Sequence, residues 1–234
     1  MCKLLVAINK SPDNIERLQD IIRVQKDEIF KEPHGLAGLV ITNDNKVIVY
    51  RDYDDYDDVF NNTMKHIKNA KLIALHSRTG TGGEFGQSNV HFFEDEGCYM
   101  AHNGFVMDYK TFGGYNVHDK SNSKGDCDTL QFLKGIDKPL TVKNIELEVT
   151  DKRFNGMGIM VDDNKKETFL IIKKDVKAIV DTDMAVFFSF KPDMKLKQDF
   201  YVKHFGVKVF NSTEVTELVE DVKQAYEGIY KLEL

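Results

Sequence analysis

Cys2 directly follows the initiator methionine. Removal of Met1 would leave one residue with both a thiol and a free α-amine of pKa roughly 7.7–8.0, so that nucleophile and base arrive together. Position alone is weak support, because a second-position cysteine is usually incidental. The other two cysteines compete poorly. Cys98 precedes Tyr99 and Met100 and reads as a core filler, while Cys127 lies between Asp126 and Asp128, whose charges would raise a thiol pKa. Attack by a thiolate on a carboxamide creates an oxyanion that preorganised donors must meet. Asn103-Gly104 offers a side-chain NH₂ beside a backbone N–H free of Cβ bulk. The same dipeptide is also a common turn, so its meaning depends on its neighbours.

Those neighbours form an ordered series after Cys2: His76-Ser77-Arg78-Thr79-Gly80-Thr81-Gly82-Gly83, Asn89-Val90-His91-Phe92-Phe93, Ala101-His102-Asn103-Gly104 and Gly125-Asp126-Cys127-Asp128. Together they resemble the class II glutamine amidotransferases, whose pattern is an N-terminal Cys, H-x-R-x-x-T-x-G, N-x-H-P-F, a-H-N-G and s-D-s-E. The resemblance is strongest from Cys2 to Leu130 and thins toward the C-terminus. Phe92 stands where Pro is usual, and Cys127-Asp128 replace the commoner Ser-Glu.

This resemblance implies an α+β fold, a four-layer αββα sandwich of antiparallel sheets called the N-terminal nucleophile (Ntn) hydrolase fold. Cys2 would be the nucleophile, and Asn103 and Gly104 the oxyanion donors. Arg78 would fork onto the α-carboxylate of glutamine and Asp126 would take its α-ammonium. Thr81 and His102 are placed with them at the substrate, under a glycine-hinged flap over residues 80–86. A γ-glutamyl thioester would form, ammonia would leave, and a separate synthetase would accept it. Two rivals stand beside this reading: a free-standing hydrolase of γ-glutamyl amide conjugates using the same residues, and a non-catalytic protein that binds glutamine or a partner.

Other chemistries fit less well. Gly80 to Gly86 lacks the Gly-Lys-Ser/Thr end of a phosphate loop. His76, His91 and His102 show no ligand spacing with Cys98, so they read as structural and no metal or cofactor is expected. The Asp52 to Asp58 run lacks the glycine and glutamate of a calcium loop and reads as a solvated approach to a helix. A net charge of −6 and a pI near 5.7 argue against a broad nucleic-acid surface. No apolar run approaches the roughly 20 residues of a membrane span. The start lacks the signature of a secretory signal, so a cytoplasmic protein without disulfides is expected.

The elements that must position these residues follow from periodicity. One domain is expected over residues 2–234. Leu4 to Ile8 reads as a buried strand, and Pro12 to Phe30 as a helix with Ile15, Leu18, Ile21, Ile22 and Ile29 on one face. Leu36 to Thr42 and Lys46 to Arg51 read as a hairpin. A helix over Val59 to Ala70 and a strand over Leu72 to His76 come next. Further strands are expected at His91 to Phe93, Cys98 to Ala101 and Met184 to Phe190, a hairpin at Gly156 to Asp162 with Thr168 to Lys173, and helices over Asp128 to Gly135 and Ser212 to Tyr230.

Overall fold

A computed structural model describes residues 2–31, 34–79, 86–106, 128–151, 154–173, 176–181, 183–190 and 228–234. Strand β1 (Lys3–Asn9) is central to a six-stranded sheet that also contains β2 (Leu36–Thr42), β3 (Val47–Asp52), β4 (Ala70–Ser77), β9 (Lys177–Asp181) and β10 (Met184–Phe188), in the order β3-β2-β4-β1-β10-β9. A second sheet has the order β11-β8-β7-β6-β5, from β5 (Phe93–Asp95), β6 (Cys98–Phe105), β7 (Asn155–Asp162), β8 (Glu167–Ile172) and β11 (Gly228–Leu232). Neighbouring strands pair antiparallel throughout both sheets.

Strand alternation divides the apolar side chains into three layers. Leu5, Ala7, Ile73 and Leu75 pack under helices α1 (Ile15–Val24), α2 (Lys26–Ile29) and α3 (Tyr56–Lys65). Leu4, Val6, Leu72 and Ala74 face the second sheet, meeting Ala101, Met157 and Ile159. The far side of that sheet, with Met100, Met160 and Phe169, is covered by α4 (Asp128–Gly135) and α5 (Val142–Asp151) through Phe132, Leu133, Ile145 and Val149. The result is the expected αββα sandwich. Strands β1 and β4 are buried on both faces, which explains their unbroken apolar runs. Each such Leu or Ile contributes about 1.5–3 kcal/mol by leaving water.

Helix starts follow local chemistry. Ser11 Oγ accepts from the Asp13 N–H at 3.3 Å, with Pro12 at the first position of a short 3₁₀ turn before α1. Asp55 Oδ1 accepts from the Asp58 N–H at 2.9 Å, so α3 begins at Tyr56, ahead of the expected Val59, and the acidic run is this helix's capping approach. It ends at Lys65 because Ala70 already belongs to β4.

Three differences from the sequence reading have physical causes. Helix α5 goes unread because Ile145 and Val149 are its buried residues while Val142 and Leu147 are exposed, which blurs the apolar stripe. The edge strand β9 is likewise found only in the structure. Tyr230 is the third: the expected helix over Ser212 to Tyr230 lies outside the described residues up to 227, and Tyr230 itself sits in β11, opposite Leu170. Tyr230, Leu232 and Leu234 alternate onto the inter-sheet layer, a period of two rather than 3.6. Among the described residues no helix is long and apolar enough to cross a membrane.

Candidate active site

The register of β1 on β4 pairs Lys3 with Ser77, so Cys2 emerges beside Arg78 and Thr79 at the end of β4. Its Sγ accepts from the Thr79 N–H at 3.3 Å and lies 3.5 Å from the Thr79 carbonyl oxygen. Lys3 ties this end of β1 to α2 through the Glu28 carboxylate, 3.3 Å away. Burial raises the thiol pKa above its ordinary value, the Thr79 N–H and the Arg78 charge counteract this, and Asp128 adds a raising field. Arg78 is itself buried, and its backbone N–H donates to Gly35 O at 3.0 Å.

Strand β6 carries Asn103 and Gly104, the pair expected to bind an oxyanion. Asn103 faces the first sheet, where its Nδ2 donates to Ser189 Oγ at 2.6 Å and lies 3.2 Å from Ser189 O. Ser189 Oγ also accepts from the Leu4 N–H at 2.7 Å. Asn103 is thereby tied to β1, the strand that follows Cys2. Gly104 lies opposite Gly156 of β7 with φ +149°, and a Cβ on it would fall 1.8 Å from Asn155 O and 2.7 Å from His102 Nε2. Gly104→Ala is therefore expected to cost about 2–4 kcal/mol in thermal unfolding. With Gly104 as the oxyanion donor that the resemblance implies, turnover should also fall by roughly 10²–10³-fold. A variant with wild-type melting and turnover would show that β6 does not need this close approach.

His76 and His91 complete the backbone pairing of β6, and His102 reaches the backbone of β7. The short β5 reaches only to the Phe93–Met100 pair, so His102 lies past the last strand partner on that side. Its backbone N–H donates to His91 Nδ1 at 3.2 Å, and its carbonyl accepts from His76 Nε2 at 3.1 Å. These contacts fix both rings as Nε2–H tautomers, since His91 Nδ1 must accept and His76 Nε2 must donate. The two rings stack with centroids 3.7 Å apart. His102 Nε2 donates to Asn155 O at 2.9 Å, and its ring packs on Phe154. Burial drives all three toward the neutral form, with His76 lowered to about 3. His102, expected at the substrate, is buried beside Gly104 with its Nε2 on Asn155 O.

Cys2, Arg78, His102, Asn103 and Gly104 are thus gathered at one end of the two sheets. Thr81, Asp126 and most of the glycine-rich flap lie outside the described residues. Asp128 is described: its Oδ2 accepts from the Val106 N–H at 3.0 Å, and its charge reaches both Cys2 and His102. Ser189 and Asn155 were not singled out by sequence. The available signal for Ser189 was one polar residue at an inward position of Ala185-Val186-Phe187-Phe188-Ser189. A cavity of about 320 Å³ lined by Lys10, Lys68 and Lys71 lies at the far end of β1 from Cys2 and is separate from this constellation.

No protein-family model matches the sequence, and no curated protein matches it. Solved structures do. The chain is similar to the glutamine phosphoribosylpyrophosphate amidotransferase of B. subtilis, complexed with ADP and GMP, at 16% identity and a TM-score of 0.57 over 89% of this chain. It is similar to a structure described as the allosteric regulatory enzyme of purine biosynthesis at 16% identity and a TM-score of 0.52 over 90% of this chain. It spans 44% of the length of each. This likeness shows that the chain shares the fold of these neighbours, and its two antiparallel sheets between covering helices are the expected αββα sandwich, the Ntn hydrolase fold.

Proposed function

We propose that this chain is a glutaminase of the amidotransferase type that uses Cys2, freed of Met1, to hydrolyse the side-chain amide of glutamine. The observation that carries the reading is the gathering around Cys2 of residues far apart in sequence: Thr79 on the sulfur, Arg78 and Asp128 within its field, and Asn103 anchored through Ser189 to Leu4. The similarity to a glutamine amidotransferase structure supports glutamine as the substrate.

In this mechanism the Cys2 amine takes the thiol proton, and the thiolate adds to the amide carbon. Asn103 Nδ2 and the Gly104 N–H receive the negative oxygen. Collapse breaks the C–N bond, the ammonium returns its proton to the leaving nitrogen, and ammonia departs, leaving a γ-glutamyl thioester. Water then adds to the thioester, glutamate leaves, and the thiol regains its proton. Arg78 holds the substrate α-carboxylate, Asp126 its α-ammonium, and Thr81 the flap, while His102 supports the oxyanion pair. Ammonia is passed to a separate synthetase.

The test is release of glutamate and ammonia from glutamine by the untagged chain, after intact mass shows loss of Met1, beside γ-glutamyl amides as competing substrates. Equal release of both products from glutamine supports the reading. Turnover of conjugates alone would replace it by the γ-glutamyl hydrolase, and binding without turnover by a glutamine-binding protein.

A further inference from the structure

We propose that Ser189 is a positioning residue that sets the Asn103 amide as an oxyanion donor, an inference that rests on the glutaminase reading above. Three features of the ladder between β1 and β10 carry it. Register places Leu4 opposite Ser189, one step beyond the Leu5–Phe188 pair. The Ser189 N–H donates to Leu4 O at 2.9 Å, as an antiparallel pair requires. The return bond is different: the Leu4 N–H goes to Ser189 Oγ at 2.7 Å rather than to the Ser189 carbonyl.

That substitution frees the Ser189 carbonyl, which turns to Asn103 Nδ2 at 3.2 Å while Oγ accepts from the same nitrogen at 2.6 Å. A carbonyl only accepts, so the atom facing it must be the amide nitrogen, and the orientation of the Asn103 amide is determined. The shorter contact, to Oγ, holds one N–H of that nitrogen, and in the proposed role the other exchanges the longer carbonyl contact for the developing oxyanion. Neither the Asn103 amide nor the start of β1 can shift without breaking a bond to the same hydroxyl.

Removing the hydroxyl has a specific consequence. Without Oγ, the buried Leu4 N–H needs another acceptor, and the Ser189 carbonyl is the normal partner in such a ladder. Closing the ladder in this way withdraws the carbonyl from Asn103 as well, so Ser189→Ala releases the amide from both holds.

The experiment compares wild type, Ser189→Ala, Ser189→Thr and Asn103→Ala, each shown to be folded by circular dichroism. Ser189→Ala should lower kcat roughly 10–100-fold with KM changed less than about twofold, because the donor acts in the transition state rather than on bound substrate. Ser189→Thr, which keeps the oxygen, should recover most of kcat. Adding Ser189→Ala to Asn103→Ala should cost little more than Asn103→Ala alone. In parallel, NMR of ¹⁵N-asparagine-labelled protein should show the Asn103 side-chain amide exchanging at least about tenfold faster in Ser189→Ala and near wild type in Ser189→Thr. Wild-type kcat in Ser189→Ala, or an additive double variant, would overturn the proposal. Unchanged amide exchange would overturn it too, even if wild type turned over glutamine. A wild type without turnover would instead remove the glutaminase reading and the catalytic role with it, while exchange alone would report whether Ser189 holds Asn103.

Discussion

A chain that keeps any residue ahead of Cys2 is expected to release no glutamate above background, a fall of at least about 10⁴-fold. The reason lies in the acidity of the site. Burial raises the Cys2 thiol above 9.0, so very little thiolate exists at neutral pH without a base. His76, His91 and His102 cannot serve, because their rings are buried and committed to the backbone of β6 and β7. In the proposed mechanism the base is the α-amine of Cys2 itself, at roughly 7.7–8.0. Transfer from a thiol less acidic than the ammonium it forms is uphill, but this is a small part of a typical barrier. With another residue in front, that nitrogen becomes an amide and accepts no proton. The comparison is between untagged protein and protein bearing an uncleaved N-terminal scar, with Cys2→Ala as the zero. In the untagged protein turnover should rise with pH through about 8 as the amine loses its proton. A scarred protein as active as the untagged one would exclude the amine as base.

Acid should unfold this protein well before its carboxylates are neutralised. His76 is lowered from 6.5 to about 3 by burial, and His91 and His102 are displaced in the same direction. The sign follows from linkage: above pH 6.5 these rings are neutral in both states and no stability is lost. Below it, the unfolded chain binds protons that the native chain refuses, so stability falls until the folded pKa is reached. At pH 5 His76 alone removes about 2 kcal/mol and the other two remove more, against a total stability of only about 5–15 kcal/mol for a typical domain. Urea midpoints at pH 7.5, 6 and 5 should therefore drop steeply. His91→Asn retains an acceptor near the Nδ1 position and His76→Gln a donor near Nε2, so each should flatten the slope even where it lowers stability at pH 7.5. An unchanged urea midpoint between pH 7.5 and 5 would contradict this burial.

Much of the fold was legible in the chain. Apolar runs at Leu4 to Ile8 and Leu72 to His76 marked strands buried on both faces, and they occupy the centre of the first sheet. The hairpin at Leu36 to Arg51 formed as expected, with Asn45 at φ +61° in its turn. Short or half-exposed elements were not legible: α5 buries two apolar residues, and β11 shows its period of two only once it has a sheet to join.

The sequence by itself determined the candidate chemistry. Thiol, amine, guanidinium and amide are properties of residue types, and the order of the motifs was visible without a structure. What tertiary structure decided is which atoms work together. His76 and His91 could have been ligands, catalytic groups or fillers. Their task is set by the end of β5, which leaves the His102 peptide without a strand partner on that side of β6. Ser189 lies 185 positions from Leu4 and 86 from Asn103, and no local pattern couples residues at such separations. Hydrogen bonds act over about 3 Å, whereas sequence patterns record only the spacing along one strand or helix. The contacts that aim Asn103 therefore exist only once the two sheets have packed.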